Sequence, residues 1–130
     1  MRVYCDANIL LKRVLNEPDS ADIESRLEQL LLENAELLSS QITQVEVERT
    51  MRRVAGMRQP LQVESALGQV TLVDLKEPVF QNAADVPYRY LTALDAIHVA
   101  TAFTVSADLV LTLDKQMRAA CEELGMAVGP

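Results

Sequence analysis

Apolar and polar positions change period repeatedly along this chain. The opening Arg2-Val-Tyr-Cys5 is short, largely apolar and β-favouring, and it stops at Asp6. Residues 8–16 read as a helix that Pro18 interrupts. From Ser20 to about Asn34, Leu27, Leu30 and Leu31 recur at spacings of three and four, with acids on the opposite face. That is the signature of an amphipathic helix. Glu36-Leu-Leu-Ser-Ser40 predicts a second strand. A helix is expected from Thr43 to about Met57, where Thr43 and Glu46 have the spacing of a capping box. A short helix over 60–68 and a strand over 70–74 follow, then helices over 78–85 and 92–105. Ala93, Ala96, Ala100 and Ala102 make the last of these narrow enough to pack closely on a sheet. Asp108 to Thr112 reads as a buried strand, Lys115 to Leu124 as a helix stopped by Gly125, and residues 126–128 as a short edge strand.

Strands therefore alternate with helices, which predicts an α/β protein with a parallel sheet covered on both faces. No repeat, low-complexity tract or linker divides residues 1–130, so one domain is expected. In such sheets ligands bind in the crevice at the carboxyl ends of the strands, and candidate chemistry is to be sought there.

Composition narrows the options. With 49% apolar residues the chain has enough material for a core. No run of apolar residues is long enough to span a membrane. Asp6 interrupts the place where an export signal would need an apolar segment. The two cysteines, Cys5 and Cys121, make no disulfide framework, so a reducing, cytoplasmic location is expected. With one histidine, His98, a zinc cluster of cysteines and histidines is excluded, and any metal would be held by oxygen. The net charge of −7 is concentrated. Residues 17–36 hold seven acids and one base, Arg26. The rest of the chain is nearly balanced and contains a basic cluster, Arg49, Arg52, Arg53 and Arg58. An acidic isoelectric point argues against nucleic-acid binding for a whole chain, and here it describes mainly one segment.

Four carboxylates fall at element ends. Asp6 follows the first strand and Asp114 follows the strand near 109–112. Glu46 and Asp95 lie in the first turns of their helices, which leave from the same edge of the sheet if the connections are short. Each has a plain local role available: Asp6 and Asp114 as N-caps, Glu46 and Asp95 as box partners of Thr43 and Thr92. Taken together they repel, by roughly 4 kcal/mol per close pair at an intermediate dielectric. Such a cluster persists when divalent cations neutralise it, and all-oxygen ligation selects Mg2+ or Mn2+. One or two such ions would lower the pKa of a coordinated water and steady the oxygens of a phosphodiester under attack, with no histidine base required.

At these residues the sequence resembles the PIN domain family and, within it, the VapC-type toxin ribonucleases. The resemblance runs through Val3-Tyr-Cys-Asp6-Ala-Asn8, then Ser39 to Arg49 around Thr43 and Glu46. It continues through Leu94-Asp95-Ala-Ile-His98-Val-Ala-Thr-Ala and Leu111-Thr112-Leu-Asp114. It implies a three-layer α/β/α sandwich with a mostly parallel central sheet. It implies cleavage of single-stranded RNA dependent on Mg2+ or Mn2+, leaving 3′-hydroxyl and 5′-phosphate ends. It also implies a homodimer and a neutralising antitoxin protein as partner. On this basis Asp6, Glu46, Asp95 and Asp114 are the expected catalytic and metal-binding acids, with Asn8 and Thr112 supporting them. Glu48 is turned about 200° from Glu46 on a helix, so Glu46 is preferred.

The remaining candidates have two readings each. His98, one turn after Asp95, reads as a buried, hydrogen-bonded packing residue rather than a base. Arg49, Arg52 and Arg53 have the spacing of one helix face, either solvated or in contact with RNA phosphates beside Glu46. Lys115 and Arg118 near Asp114 are open to the same two readings. Cys5 reads as packing. Two rivals to the nuclease stand. A catalytically silent module on the same fold, acting through a protein partner, is suggested by the acidic segment. A phospho-acceptor switch at Asp6 lacks the acidic pair such a site needs.

Overall fold

The computed structural model describes residues 1–87 and 90–130. Its strands are β1 (Arg2–Cys5), β2 (Glu36–Ser40), β3 (Val70–Val73), β4 (Leu109–Leu111) and β5 (Val128–Gly129). Its helices are α1 (Ala7–Leu11), α2 (Ser20–Leu32), α3 (Gln41–Ala55), α4 (Pro60–Leu67), α5 (Glu77–Asp85), α6 (Ala93–Thr104) and α7 (Lys115–Glu123). The strands form one sheet in the order β3-β2-β1-β4-β5, and every pairing is parallel. Where the sequence led us to expect a mostly parallel sheet, the five described strands are all parallel.

The period-2 alternation of the strands builds the layers. On β1, Val3 and Cys5 point to one face, where they meet Ile9 and Leu10 of α1 and Ile23, Leu27 and Leu30 of α2. Tyr4 points to the other, against Val99 and Ala102 of α6 and Met117, Ala120 and Cys121 of α7. The register keeps the alternation consistent across the sheet: Tyr4 lies opposite Leu38 and Val110, which share its face. The result is an α/β/α sandwich. A smaller apolar cluster, Leu11, Val47, Met51 and Ala66, ties α3 and α4 to the end of α1. Of the small residues of α6, Ala96, Ala100 and Ala102 are buried as their size suggested, while Ala93 at the helix start is exposed. Both cysteines are buried and unpaired, and Cys5 packs in the core as expected.

Three local expectations are corrected. The helix expected over 8–16 ends at Leu11. Beyond it the backbone tightens into short turns, Lys12 N–H to Ile9 O and Arg13 N–H to Leu10 O. The Arg13 guanidinium is drawn off to the Ala66 and Gly68 carbonyls at 3.0 and 2.7 Å, a tertiary tether that overrides local helix preference. Helix α3 begins two residues earlier than Thr43. Its N-cap is Ser40, whose hydroxyl accepts from Ile42 N–H. Thr43 is therefore inside the helix, hydrogen-bonded to Ser39 at 2.7 Å, and the box with Glu46 does not form. Helix α3 ends at Gly56, whose φ of 75° is the left-handed turn that closes a helix without a Cβ penalty. The edge strand lies at Val128–Gly129, at the end of the expected 126–128 segment and just past it.

Leu27 is 1% exposed, in the middle of the α1–α2 face. Leu27→Ala should lower unfolding free energy in urea by about 2–5 kcal/mol. The same change at Leu32, which is 85% exposed, should stay within about 0.5 kcal/mol.

Candidate active site

The order β3-β2-β1-β4-β5 places a switch point between β1 and β4, where the chain stops building to one side and starts on the other. Crevices at such points bind ligands. Asp6 follows β1 directly and its N–H bonds Leu111 O of β4 at 3.0 Å, so it stands on that seam. Thr112, just past β4, donates its hydroxyl to Asp6 Oδ2 at 3.0 Å across the same seam. Asp6 is the N-cap residue of α1, as expected, but its side chain makes no capping bond.

Asp114 is the N-cap of α7, and its Oδ1 accepts from Met117 N–H at 2.8 Å. One oxygen therefore has the capping role and the other carries no bond among the described residues. Asp95 sits in the first turn of α6, with its N–H bonded to Thr92 Oγ1 at 3.2 Å, which is half of the expected box. Glu46, on the second turn of α3, is committed to His98, with Oε1 2.5 Å from Nε2.

The four acids feel one another's charge: Asp6 with Glu46, and Asp95 with both Glu46 and Asp114. They do not close on a common point. Among the described residues no three His, Cys, Asp or Glu side chains are close enough to hold one ion. The tight cluster expected from the sequence is thus a looser group, linked by charge interactions among its acids. No lysine or arginine is paired with any of the four among the described residues.

Electrostatics follow from this. Burial raises the Asp6 carboxyl, His98 and the Thr112 hydroxyl pull it back, and Glu46 pushes it up again, leaving it raised. The Asp95 carboxyl is raised by burial first, with further pushes from Asp114 and Glu46. Burial works against a charge on His98, yet the bond to Glu46 and the charges of Asp6 and Asp95 leave its pKa raised. The donors offered to a ligand are all carboxylate oxygens carrying excess negative charge, which fits a hard divalent cation.

The surrounding cations divide differently from the sequence pattern. A cleft of about 450 Å3 opens beside Asp114 and Asn8 and is lined by Lys12 and Arg53. Lys12 is already held by Asp19 at 2.6 Å and Glu17 at 3.2 Å. Arg49 and Arg52 instead line a separate cavity of about 240 Å3 between α3 and α4, with Glu48, Arg58 and Gln59. The three arginines expected on one face are therefore split, because positions 52 and 53 are about 100° apart and α4 covers only one side. Arg118 leans back on Thr112 O at 3.5 Å, and Lys115 is exposed. Asn8 is exposed at the mouth.

The sequence did not reveal what holds His98. Its Nδ1 bonds the Tyr4 phenol at 2.7 Å, so a central-strand tyrosine, a core histidine and Glu46 form one chain. The available signal was a tyrosine in a buried strand, which needs a polar partner.

A doubly wound α/β protein with carboxylates around its ligand crevice is the class these features define. The family model for the PIN domain matches residues 3–123, and the chain belongs to that family. It is 30% identical over 128 residues to ribonuclease VapC47 of Mycobacterium tuberculosis, covering 95% of this chain and 92% of that one. It is 32% identical over 134 residues to ribonuclease VapC46 of the same species, covering 97% and 95%. Among solved structures, the crystal structure of VapBC2 from Rickettsia felis, bound to a DNA fragment from the promoter, superposes with a TM-score of 0.73 over 99% of this chain and 98% of that one. At 15% identity that last likeness concerns the fold. No described helix is long and apolar enough to cross a membrane.

A carboxyl raised by folding contributes most to stability when protonated, and that contribution falls as pH rises through the folded value. Metal-free Asp6→Asn should therefore melt above the wild type at neutral pH. The difference should vanish in acid, below the ordinary aspartate range, where Asp6 is protonated in both states. Calorimetric melts across pH check this; a variant melting lower at neutral pH contradicts it.

Proposed function

We propose that this protein is a divalent-cation-dependent endoribonuclease that cuts single-stranded RNA, the toxin of a toxin–antitoxin pair. The observation that supports the reading is the group of four acids from four elements near the β1–β4 switch point, with no lysine or arginine paired to any of them among the described residues. Asp6, Glu46, Asp95 and Asp114 would hold one or two Mg2+ or Mn2+ ions. When bound, the cation supplies a water deprotonated near neutral pH and positive charge against the phosphate.

The chain's own residues do the rest. Thr112 fixes one oxygen of Asp6 from across the seam. The capping bond from Met117 N–H fixes one oxygen of Asp114. Asn8, exposed at the cleft, offers an amide to the ligand shell or the RNA. Arg53 is the cation of the cleft beside Asp114 that no acid engages among the described residues, and it suits an RNA phosphate. Lys115 and Arg118 flank the same acid on α7, and Arg49 would extend the basic path along α3.

An antitoxin protein is the proposed partner, supported by kinship with the VapC ribonucleases and by the fold shared with VapBC2. A homodimer is proposed as well; exposed Val45, Val54, Met57 and Leu61 on and between α3 and α4 supply apolar surface of the kind dimers cover. A cytoplasmic setting suits two buried, unpaired cysteines.

Asp95→Asn should reduce cleavage of a single-stranded RNA by about 100-fold or more while the melt stays native. Chelation of divalent cations should silence the wild type. Equal rates in the variant and the wild type would overturn the assignment. For Arg53→Ala, RNA affinity should fall and the slope of log affinity against log salt should shrink by about one. An unchanged slope would exclude Arg53 from the RNA path.

A further inference from the structure

His98 is fully buried, though it belongs to the helix that carries Asp95. Two hydrogen bonds hold it at opposite ends of the ring: Tyr4 Oη to Nδ1 at 2.7 Å and Nε2 to Glu46 Oε1 at 2.5 Å. Tyr4 is itself fully buried on the central strand, and the two rings meet edge to face at 5.9 Å. Neither ring nitrogen is open to solvent or substrate, so His98 cannot serve as the base. An ionised carboxylate only accepts, so Nε2 carries the proton in the bond to Glu46. The phenol both donates and accepts, so its bond to Nδ1 survives in either charge state of the ring.

We infer that Tyr4 and His98 are positioning residues for Glu46, fixing one of its oxygens so that the other is presented to the divalent cation. Glu46 needs such a tether. Its side chain is long, partly exposed, and makes no other hydrogen bond among the described residues. Asp6 and Asp114, by contrast, are held by Thr112 and by the Met117 N–H. The chain Tyr4–His98–Glu46 connects the central strand β1 to α6 and then to α3, so the sheet itself sets the position of an acid that comes from a helix. This inference rests on the cation-dependent reading of the four acids.

Calorimetric titration with Mn2+ alone, without RNA, tests it. His98→Leu should weaken Mn2+ binding by about 10- to 100-fold, and Tyr4→Phe should weaken it less, in the same direction. His98→Gln, which keeps a donor toward Glu46, should recover part of the loss. In a Glu46→Gln background, His98→Leu should cost nothing further, a cancellation that a merely structural histidine would not show. Wild-type Mn2+ affinity in His98→Leu, or in Tyr4→Phe should the leucine variant not fold, overturns the inference. If Asp95→Asn loses Mn2+ binding while His98→Leu does not, this inference alone fails. If the wild-type protein binds no Mn2+, the reading of the acids fails and takes this inference with it.

Discussion

Asp6 is almost wholly buried at the junction of β1 and β4, and no lysine or arginine stands beside it among the described residues. Its negative charge is met by a histidine 4.0 Å away and a threonine hydroxyl, while a second acid, Glu46, pushes against it. That buried charge, with no lysine or arginine paired to it among the described residues, is the constraint around which the site is arranged. A buried ion is tolerated only where partners or a ligand balance it. The rest of the molecule supplies a frame stiff enough to hold the acids in place while they repel.

The frame is ordinary in its physics. Each strand divides its side chains between two helical layers, and the buried alternation of Val3, Tyr4 and Cys5 sets the pattern for its neighbours. Polar groups inside it are matched: no described buried side-chain nitrogen or oxygen lacks a partner. Ser39 illustrates how, bonding Cys5 O at 2.6 Å and Thr43 at 2.7 Å, which pins the start of α3 to the end of β1. The acids at the mouth are thus placed by a satisfied interior, and among the described residues no lysine or arginine is paired with them.

Much of this was legible in the chain. Alternating strand and helix patterns led to the layered sheet, and acids just after strands led to the sheet's carboxyl edge. What was not legible depends on distant partners. The shortening of α1 comes from Arg13 reaching residues more than fifty positions away. The start of α3 was misplaced because Ser40 and Thr43 are both plausible caps, and only packing decides that Thr43 turns inward to Ser39. The arginines of α3 share a spacing yet face different cavities because α4 packs on one side. The tether on Glu46 joins residues 52 and 94 positions apart, beyond any local pattern.

Anomalous diffraction from a crystal of this protein equilibrated with Mn2+ would show whether the four acids hold a divalent cation. An ion is expected at the β1–β4 switch point, touching carboxylate oxygens of Asp6 and Asp95 and drawing Glu46 and Asp114 inward. Saturating Mn2+ that leaves this mouth empty, or binds only elsewhere on the surface, would contradict it.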